Sequence, residues 1–315
     1  MISKNYKLNG FYSWQIINTD GSIASKSKEK NNLILTQGLE FPSVYLFADC
    51  FTSCCVGLGT QAPLLSDVGL QSEHKRTNTY YNGANACRSY VSSGTFNIQR
   101  TFDFSVETET IYYGEIGWSP ENTPGNNLFS KSLMVDSFGN VGPIAVNRNQ
   151  FLRVIYTLSI SFTPSTLTPS VPAISNWTTN GNSIAQLVGL YGVNSSGTTA
   201  VFDSGYQTSE PKNNILDIFI STGLQTISGF GNSANYTAGS YPQRATSYPY
   251  ISGTLTKIYS ASFSRASGTG YMNTLGIGLS GRAPANATFI HRLDSPQTKL
   301  TDYQLDLYFQ YTWGQ

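Results

Sequence analysis

The segment from Phe151 to Phe162 reads FLRVIYTLSISF and alternates apolar with other residues over its whole length. Alternate positions of an extended chain lie on the same face of a strand. One face of this segment is therefore apolar, and its members are Leu152, Val154, Tyr156, Leu158, Ile160 and Phe162. Such alternation predicts a half-buried antiparallel strand. The C-terminal segment from Gln304 to Trp313, QLDLYFQYTW, repeats the pattern.

Other elements recur in the same order in the two halves of the chain. A strand with phenylalanine and serine precedes each alternating segment, a glycine-bracketed strand lies between the two, and a short glycine-rich strand lies upstream. The matched pairs are Arg100–Ser105 with Ile258–Ser264, Gly114–Ser119 with Leu275–Ser280, and Cys55–Gly59 with Leu187–Gly192. Their common order predicts an internal duplication.

The predicted fold class is all-β, with two tandem antiparallel β-sandwich-like modules and an N-terminal hairpin or arm. Turn-forming residues interrupt the apolar runs at the spacing of a sandwich or barrel. A proline-rich stretch marks an extended linker, because proline cannot donate to a strand ladder. The predicted boundaries are 1–32 for the arm, 33–163 for the first module, 164–174 for the linker and 175–315 for the second module.

The first 32 residues are predicted to form a hairpin with its turn at Asn18–Gly21. Their aromatic residues Phe11, Tyr12 and Trp14 make this segment a candidate docking arm that adds a strand to a neighbouring subunit. The alternative is that the hairpin packs on its own domain. One short helix is predicted at Asn32–Leu39, with the asparagine as its N-cap.

The composition narrows the class of partner. Charged residues make up 12% of the 315-residue chain, about half the usual fraction. The net charge is +1, so the basic surface of a duplex-binding protein is missing and no nucleic-acid partner is predicted. No segment approaches the ~18 consecutive apolar residues of a membrane span, and the N-terminus lacks the apolar stretch of a signal peptide. We therefore expect synthesis in a cytoplasm and no membrane insertion.

The sequence predicts neither a metal site nor a cofactor site. The cysteines are Cys50, Cys54, Cys55 and Cys87, and their spacing lacks the paired C-x-x-C units of a zinc site. We interpret them as small buried hydrophobic residues on a strand. The run from Cys55 to Ala62 fits the dinucleotide motif G-x-G-x-x-A, but Pro63 follows at once and predicts a turn in place of the required helix.

No catalytic residue is predicted, and we expect a protein that is not an enzyme. The chain contains no P-loop, H-E-x-x-H or G-x-S-x-G motif, and no nucleophile motif lies near His74 or His291. Glycoside cleavage needs two neighbouring carboxylates. Glu107 and Glu109 alternate on one predicted strand, but the polar residues around them favour a solvated strand end.

Two long irregular stretches are predicted at about Gln71–Gly94 and at Gly229–Gly253. Long loops in compact domains often serve binding. Tyrosine supplies contact area at low entropic cost and arginine adds directional donors. The second stretch is therefore a candidate interface or glycan-binding loop, unless it lies flat over its own domain. Its candidate residues are Tyr236, Tyr241, Arg244, Tyr248 and Tyr250.

A set of short segments resembles β-rich virion structural proteins of tailed bacteriophages, namely tail, baseplate or fibre-associated subunits. The resemblance covers about residues 30–160 and transfers no catalytic residue. The segments that carry it are Asn32–Leu39, Cys55–Pro63, Ser66–Leu70, Arg100–Ser105, Glu115–Ser119, Leu128–Leu133 and Phe151–Leu158.

The resemblance implies a place in the virion and a function in assembly, with copies of the chain and other virion subunits as partners. Charge depletion agrees with that expectation, because charges buried at an interface without partners are costly. We expect a symmetric homo-oligomer in the tail, the baseplate or the fibre-attachment region. Two alternatives remain: an adhesin of the tail that binds a host receptor or carbohydrate, and a capsid decoration or head-fibre protein.

Overall fold

The computed structural model describes residues 2–45, 47–81, 87–92 and 95–162, and in the C-terminal half residues 186–187, 191–193, 199–201, 217–221, 240–244, 246–264, 270–278, 287–299 and 305–315. The fold is predominantly β, with 50% of residues in strands and one short α-helix among the described residues. This result confirms the predicted all-β class. The chain divides into two compact units, Lys7–Ser161 with Gly314–Gln315, and Met1–Tyr6 with Phe162–Trp313.

The first unit, Lys7–Ser161 with Gly314–Gln315, contains twelve described strands, two of which extend beyond its limits. They are β1 (Ile2–Asn18), β2 (Ile23–Lys26), β3 (Lys30–Ile34), β4 (Ser53–Gly57), β5 (Glu73–Thr77), β6 (Cys87–Ser92), β7 (Thr95–Asp103), β8 (Ile111–Tyr113), β9 (Glu115–Ser119), β10 (Ser130–Leu133), β11 (Ile144–Val146) and β12 (Gln150–Phe162). The helix α1 spans Thr36–Glu40, and 3-10 turns span Phe41–Ser43 and Phe47–Phe51.

Every strand pair of the first unit whose register is described is antiparallel. One run of neighbours has the order β3, β10, β9, β4, β5. β1 pairs with β2, β3 and β12, β12 also pairs with β7, β7 pairs with β6, and β8 pairs with β11. The prediction for β12 is confirmed, because Leu152, Val154, Tyr156 and Leu158 are all fully buried. The alternating apolar residues of β12 thus form one side of the hydrophobic core.

The N-terminal hairpin is also confirmed, although β1 begins at Ile2 and is longer than expected. Gln15 pairs with Lys26, and Ile17 pairs with Ile23. The Asn18 N–H donates to Ser22 O at 2.9 Å, and Gly21 closes the turn with φ +85°. That left-handed conformation suits glycine, which has no Cβ to clash.

The helix prediction was wrong for its first half. Asn32 lies on β3 opposite Gly10, and Ile34 on the same strand pairs with Ser130. The helix α1 begins only at Thr36, and no side chain caps it. Strand pairing across the fold therefore outweighs the local N-cap signal at Asn32.

Aromatic rings fill the core of the first unit. The ring centroids of Trp118 and Tyr156 lie 4.4 Å apart, those of Tyr12 and Trp118 5.4 Å, and those of Phe51 and Tyr156 4.9 Å. Burial raises the pKa of Tyr12 to about 12. The Tyr12 hydroxyl donates to Leu133 O at 2.6 Å, and Trp14 Nε1 donates to Val135 O at 2.8 Å. Both side chains therefore belong to this core, which we call the aromatic core.

The second unit is also antiparallel. Its described strands are β13 (Gln186–Leu187), β14 (Tyr191–Val193), β15 (Thr199–Val201), β16 (Asp217–Ser221), β17 (Ser240–Arg244), β18 (Thr246–Ser247), β19 (Thr256–Phe263), β20 (Gly270–Gly278), β21 (Ala287–Lys299) and β22 (Leu305–Gly314). One sheet has the order β13, β21, β20, β16, β17, and β14 pairs with β15. β19 pairs with β22 over eight consecutive residues, from Thr256 with Thr312 to Phe263 with Leu305.

The two stretches predicted to be irregular contain strands. β5 and β6 lie within Gln71–Gly94, and β17 and β18 lie within Gly229–Gly253. Those predictions were wrong in part, because frequent Gly, Asn and Tyr favour turns and mask the strands among them. The predicted linker at 164–174 falls outside the described residues. No helix within the described ranges is long and apolar enough to cross a membrane.

Candidate protein interface

The segment that joins β4 to β5 carries a group of exposed aliphatic side chains. Residues 58–72 contain no helix or strand, and we call this segment the platform loop. Monomeric soluble proteins seldom expose large contiguous apolar surfaces, and such surfaces often mark interaction sites. The exposed side chains are Leu58 at 46%, Leu64 at 62%, Leu65 at 51% and Val68 at 39%.

A buried carboxylate holds both ends of the platform loop. Glu115, on β9, has no exposed surface. Its carboxylate accepts hydrogen bonds from the N–H groups of Gly59 at 3.2 Å, Gln71 at 2.9 Å and Ser72 at 2.7 Å. A buried charge is tolerated only when hydrogen bonds and a partner charge replace its hydration. Glu115 thus ties the first and last residues of the loop to β9.

The partner charge comes from the neighbouring strand β10. Lys131 is 4% exposed, and its Nζ lies 3.2 Å from Glu115 Oε2 and 3.2 Å from Asp67 Oδ2. The same ammonium group donates to Gly69 O at 3.4 Å. Asp67 Oδ2 in turn accepts from the Leu64 N–H at 3.0 Å. Lys131 therefore attaches the middle of the loop to the sheet, next to the exposed leucines.

Backbone and amide contacts fix the same residues from the other side. The Thr36 N–H donates to Leu65 O at 2.9 Å. Gln37, on α1, donates from Nε2 to Val68 O and to Leu128 O, both at 2.9 Å. Leu128 lies beneath the loop in a buried cluster with Leu35 and Cys55, against which Leu33 and Leu70 pack. The exposed aliphatic residues therefore stand on a rigid base and cannot easily turn inward.

The glycines of this region are required by close approach to Glu115 and to the loop. A Cβ on Gly59 would lie 2.4 Å from Glu115 Oε1, and one on Gly114 would lie 2.3 Å from Gly59 O. Real Cβ atoms do not come so close to other atoms. Gly57 at the end of β4 and Gly59 after it thus leave room for a buried carboxylate. The predicted turn is confirmed, because no helix follows β4.

Five of the segments quoted for the virion resemblance meet at this loop. The sequence did not reveal that they share Glu115 and Lys131 as anchors. The sequence did contain one indication of these anchors. Glu115 and Lys131 are each the single charged residue of a short strand in a charge-poor chain. The five segments are Asn32–Leu39, Cys55–Pro63, Ser66–Leu70, Glu115–Ser119 and Leu128–Leu133.

The carboxylates weighed for glycoside cleavage do not share a face. Residues 104–110 are not a strand, and the prediction of a solvated strand end was wrong for Glu107. Glu107 is 5% exposed and accepts from Lys75 Nζ at 2.6 Å and from the Tyr113 hydroxyl at 2.7 Å. Burial, followed by the hydrogen bond to Glu107, raises the pKa of Tyr113. Glu109 is exposed.

The interpretation of the cysteines is confirmed for Cys54 and Cys55. Both lie on β4 with no exposed surface, and burial raises the pKa of both thiols. Cys50 is buried in a 3-10 turn, and Cys87 lies on β6. Within the described ranges, no group of three or more His, Cys, Asp or Glu side chains is arranged to hold a metal ion.

The structure separates the residues of the predicted tyrosine loop. Tyr241 and Arg244 lie on β17, and Tyr236 is outside the described residues. Tyr248 is 44% exposed, whereas the ring of Tyr250 stacks on Trp313 with centroids 5.8 Å apart. Of the predicted docking arm, Phe11 is half-buried and the rings of Tyr12 and Trp14 lie in the aromatic core.

No protein-family model matches this chain, and comparisons with curated proteins and with solved structures find no match either. Function is therefore inferred from the geometry of the platform loop and from the motif resemblance.

Proposed function

We propose that this chain is a structural subunit of a tailed-phage virion and acts by protein–protein assembly in the tail, baseplate or fibre-attachment region. The platform loop carries the proposal. It holds four exposed aliphatic side chains on a base fastened by Glu115 and Lys131. The virion context comes from the motif resemblance, and the assembly function comes from this surface.

The charges of the platform loop favour a protein partner. Asp67 is the one charged residue between positions 58 and 72, and it forms an ion pair with Lys131 at 3.2 Å. Docking therefore removes no unpaired charge from water, which is the costly step at many interfaces. A pre-ordered loop also loses little conformational entropy on binding. A set of exposed apolar side chains in a segment with few charges is typical of an interface core.

Two tandem copies of one module remain part of the proposal, and one correspondence supports it. In the first unit the strand with phenylalanine and serine, β7, pairs with the long strand β12. In the second unit its counterpart β19 pairs with β22. A second correspondence differs, since β9 pairs with β4 whereas β20 pairs with β16 and β21. Superposition of an experimental structure of each unit tests the duplication.

Immunogold electron microscopy of phage particles that carry this gene tests the virion assignment, with antibodies raised against the purified chain. We expect label at the tail, the baseplate or the fibre attachment. Label on the head, at the high copy number of a capsid lattice, would support the decoration or head-fibre alternative. Absence of label from intact and from disrupted particles would overturn the assignment.

A pair of substitutions tests the platform loop itself. In the variant Leu64→Asp/Leu65→Asp, two charges would be buried at the interface without partners, so we expect the chain to fold but not to enter particles. The matched control is Ile251→Asp, at a residue of the second unit that is 68% exposed. Normal incorporation of the double variant would contradict the proposed role of the loop.

An adhesin is the second candidate, supported by one observation on the second unit. Tyr248 is 44% exposed and Ile251 is 68% exposed, near the stack of Tyr250 on Trp313. Exposed aromatic rings provide faces for protein or sugar contacts. Glycan-array binding that disappears in Tyr248→Ala would favour the adhesin, and an array without signal would count against it.

A further inference from the structure

The most exposed large apolar side chain of the described residues lies on a tight turn. Phe138 is 81% exposed, and Val141 beside it is 59% exposed. We call residues 134–142 the Phe138 turn. An isolated bridge between Val135 and Val141 closes its base. A phenyl ring in this position is a pre-ordered contact element, since the turn itself is fixed by hydrogen bonds.

Asp136 fixes the turn. Its Oδ1 accepts from the Phe138 N–H at 2.9 Å and from the Asn140 N–H at 2.8 Å, and its Oδ2 accepts from Asn140 Nδ2 at 3.1 Å. Gly139 supplies φ +99°. These hydrogen bonds, led by that from the Asn140 side chain, lower the pKa of Asp136. The turn therefore presents one aromatic ring beside one negative charge.

A complementary surface lies on β2 and the residues after it. Ile23 is 53% exposed, and the side chains of Lys26 and Lys28 are also exposed. In the described part of the chain, neither lysine has an ion-pair partner. This segment, which we call the basic strand (residues 23–28), offers one aliphatic side chain beside two positive charges, and the exposed Glu29 follows it directly.

The Phe138 turn and the basic strand are joined through one residue. The backbone of Trp14 contacts the basic strand. Its N–H donates to Ser27 Oγ at 3.0 Å, and the Ser27 N–H donates to Trp14 O at 2.9 Å. The indole Nε1 of the same tryptophan donates to Val135 O at 2.8 Å. Ser27 of the basic strand and Val135 at the base of the Phe138 turn therefore contact the same tryptophan of the first unit.

We propose that a second copy of this chain docks here, with the Phe138 turn of each copy against the basic strand of the other. Opposite charges meet in such a contact, Asp136 against Lys26 and Lys28, while Phe138 packs on Ile23. Because both surfaces belong to one unit and are linked through Trp14, a two-fold axis lets each copy give and receive the same contact, as in most homodimers. This contact extends the assembly function proposed above but uses a different surface, so each can fail alone.

Sedimentation equilibrium of the full chain over a wide concentration range tests the contact. We expect a dimer, at least about tenfold weaker in Phe138→Ser, because aromatic anchors dominate small interfaces. Lys26→Glu/Lys28→Glu should weaken it as well, and added salt should weaken the wild-type dimer because exposed charges are screened. The control Leu64→Ser, in the platform loop, should leave the dimer unchanged.

Three results would overturn the proposal. They are a monomer at every concentration, a dimer that Phe138→Ser leaves intact, and loss of the dimer in Leu64→Ser, which would assign self-association to the platform loop. Circular dichroism of each variant checks its fold. Co-sedimentation with anionic phospholipid vesicles tests whether the partner is a lipid surface. If the wild-type chain is monomeric but binds the vesicles, and Phe138→Ser abolishes this binding, the partner is a bilayer and not a second copy.

Discussion

The platform loop and the Phe138 turn both hold exposed apolar side chains in place, one above a buried carboxylate and the other beside a surface carboxylate. Each presents apolar side chains to solvent, and in each one carboxylate accepts several backbone N–H groups to fix the chain. Glu115 does so with no exposed surface and needs Lys131 as counter-charge. Asp136 does so at the surface, where water compensates its charge. The comparison teaches that the buried carboxylate is part of the fold, while the surface carboxylate shapes only its own turn.

The largest effect is expected from Glu115→Ala. The substitution leaves three N–H groups without their acceptor and removes one of the two charges that neutralise buried Lys131. We expect the free energy of unfolding to fall by about 3–5 kcal/mol, as for other broken buried pairs. Urea denaturation measures it, with the exposed Glu109→Ala as a control that should change little. Equal stability of the two variants would show that the loop does not depend on this carboxylate.

A smaller loss is expected from Gly114→Ala, which separates the loop from β9 without changing a charge. The new Cβ would lie 2.3 Å from Gly59 O, so the backbone must shift. We expect a loss of about 1–3 kcal/mol, typical of overpacking. Gly125→Ala is the matched control, because a Cβ there meets nothing within 4 Å. Thermal unfolding of both variants measures the difference in stability. If Gly125→Ala destabilises the chain as much as Gly114→Ala does, the steric explanation is refuted.

The smallest effect is expected from Asp136→Ala. Urea denaturation should be unchanged within error, while self-association in sedimentation weakens because the Phe138 turn loses its order. If the urea midpoint of Asp136→Ala falls as far as that of Glu115→Ala, the surface carboxylate is as important for the fold as the buried one, contrary to this prediction.

The pH dependence of Asp136 sharpens the same point. Its pKa is lowered in the folded chain, so the stabilisation of the turn is present above the ordinary carboxyl pKa and is lost as pH falls through the lowered value. Carbon-detected NMR of the carboxyl group should therefore show titration below the range of a free aspartate. Titration within the ordinary range would mean that the turn hydrogen bonds do not persist in solution.

The sequence predicted strands where the signal was local and periodic. β12 follows from alternation alone, and the turn at Asn18–Gly21 follows from its residue types. Asn32 was misassigned because its partner Gly10 lies on another strand, and a capping signal carries no information on such pairing. The polar neighbours of Glu107 suggested solvent, yet Lys75 and Tyr113 enclose it.

The anchors of the platform loop were not predictable for a related reason. Glu115, Lys131 and Asp67 belong to three separate segments, and only the fold brings their charges to 3.2 Å. What the sequence did supply was the set of short motifs that converge there. The sequence shows the residues of these motifs. It does not show that the motifs contact one another, because that follows from the sheet order β10, β9, β4.

Hydrogen–deuterium exchange of the full chain tests most directly whether the platform loop is a rigid docking surface. The amides of Gly59, Gln71 and Ser72 are predicted to exchange as slowly as those of β4, although they lie outside any strand, and to lose that protection in Glu115→Ala, which removes both acceptor oxygens. Fast exchange of these three amides in the wild-type chain, at the rate of an unstructured loop, would contradict the account.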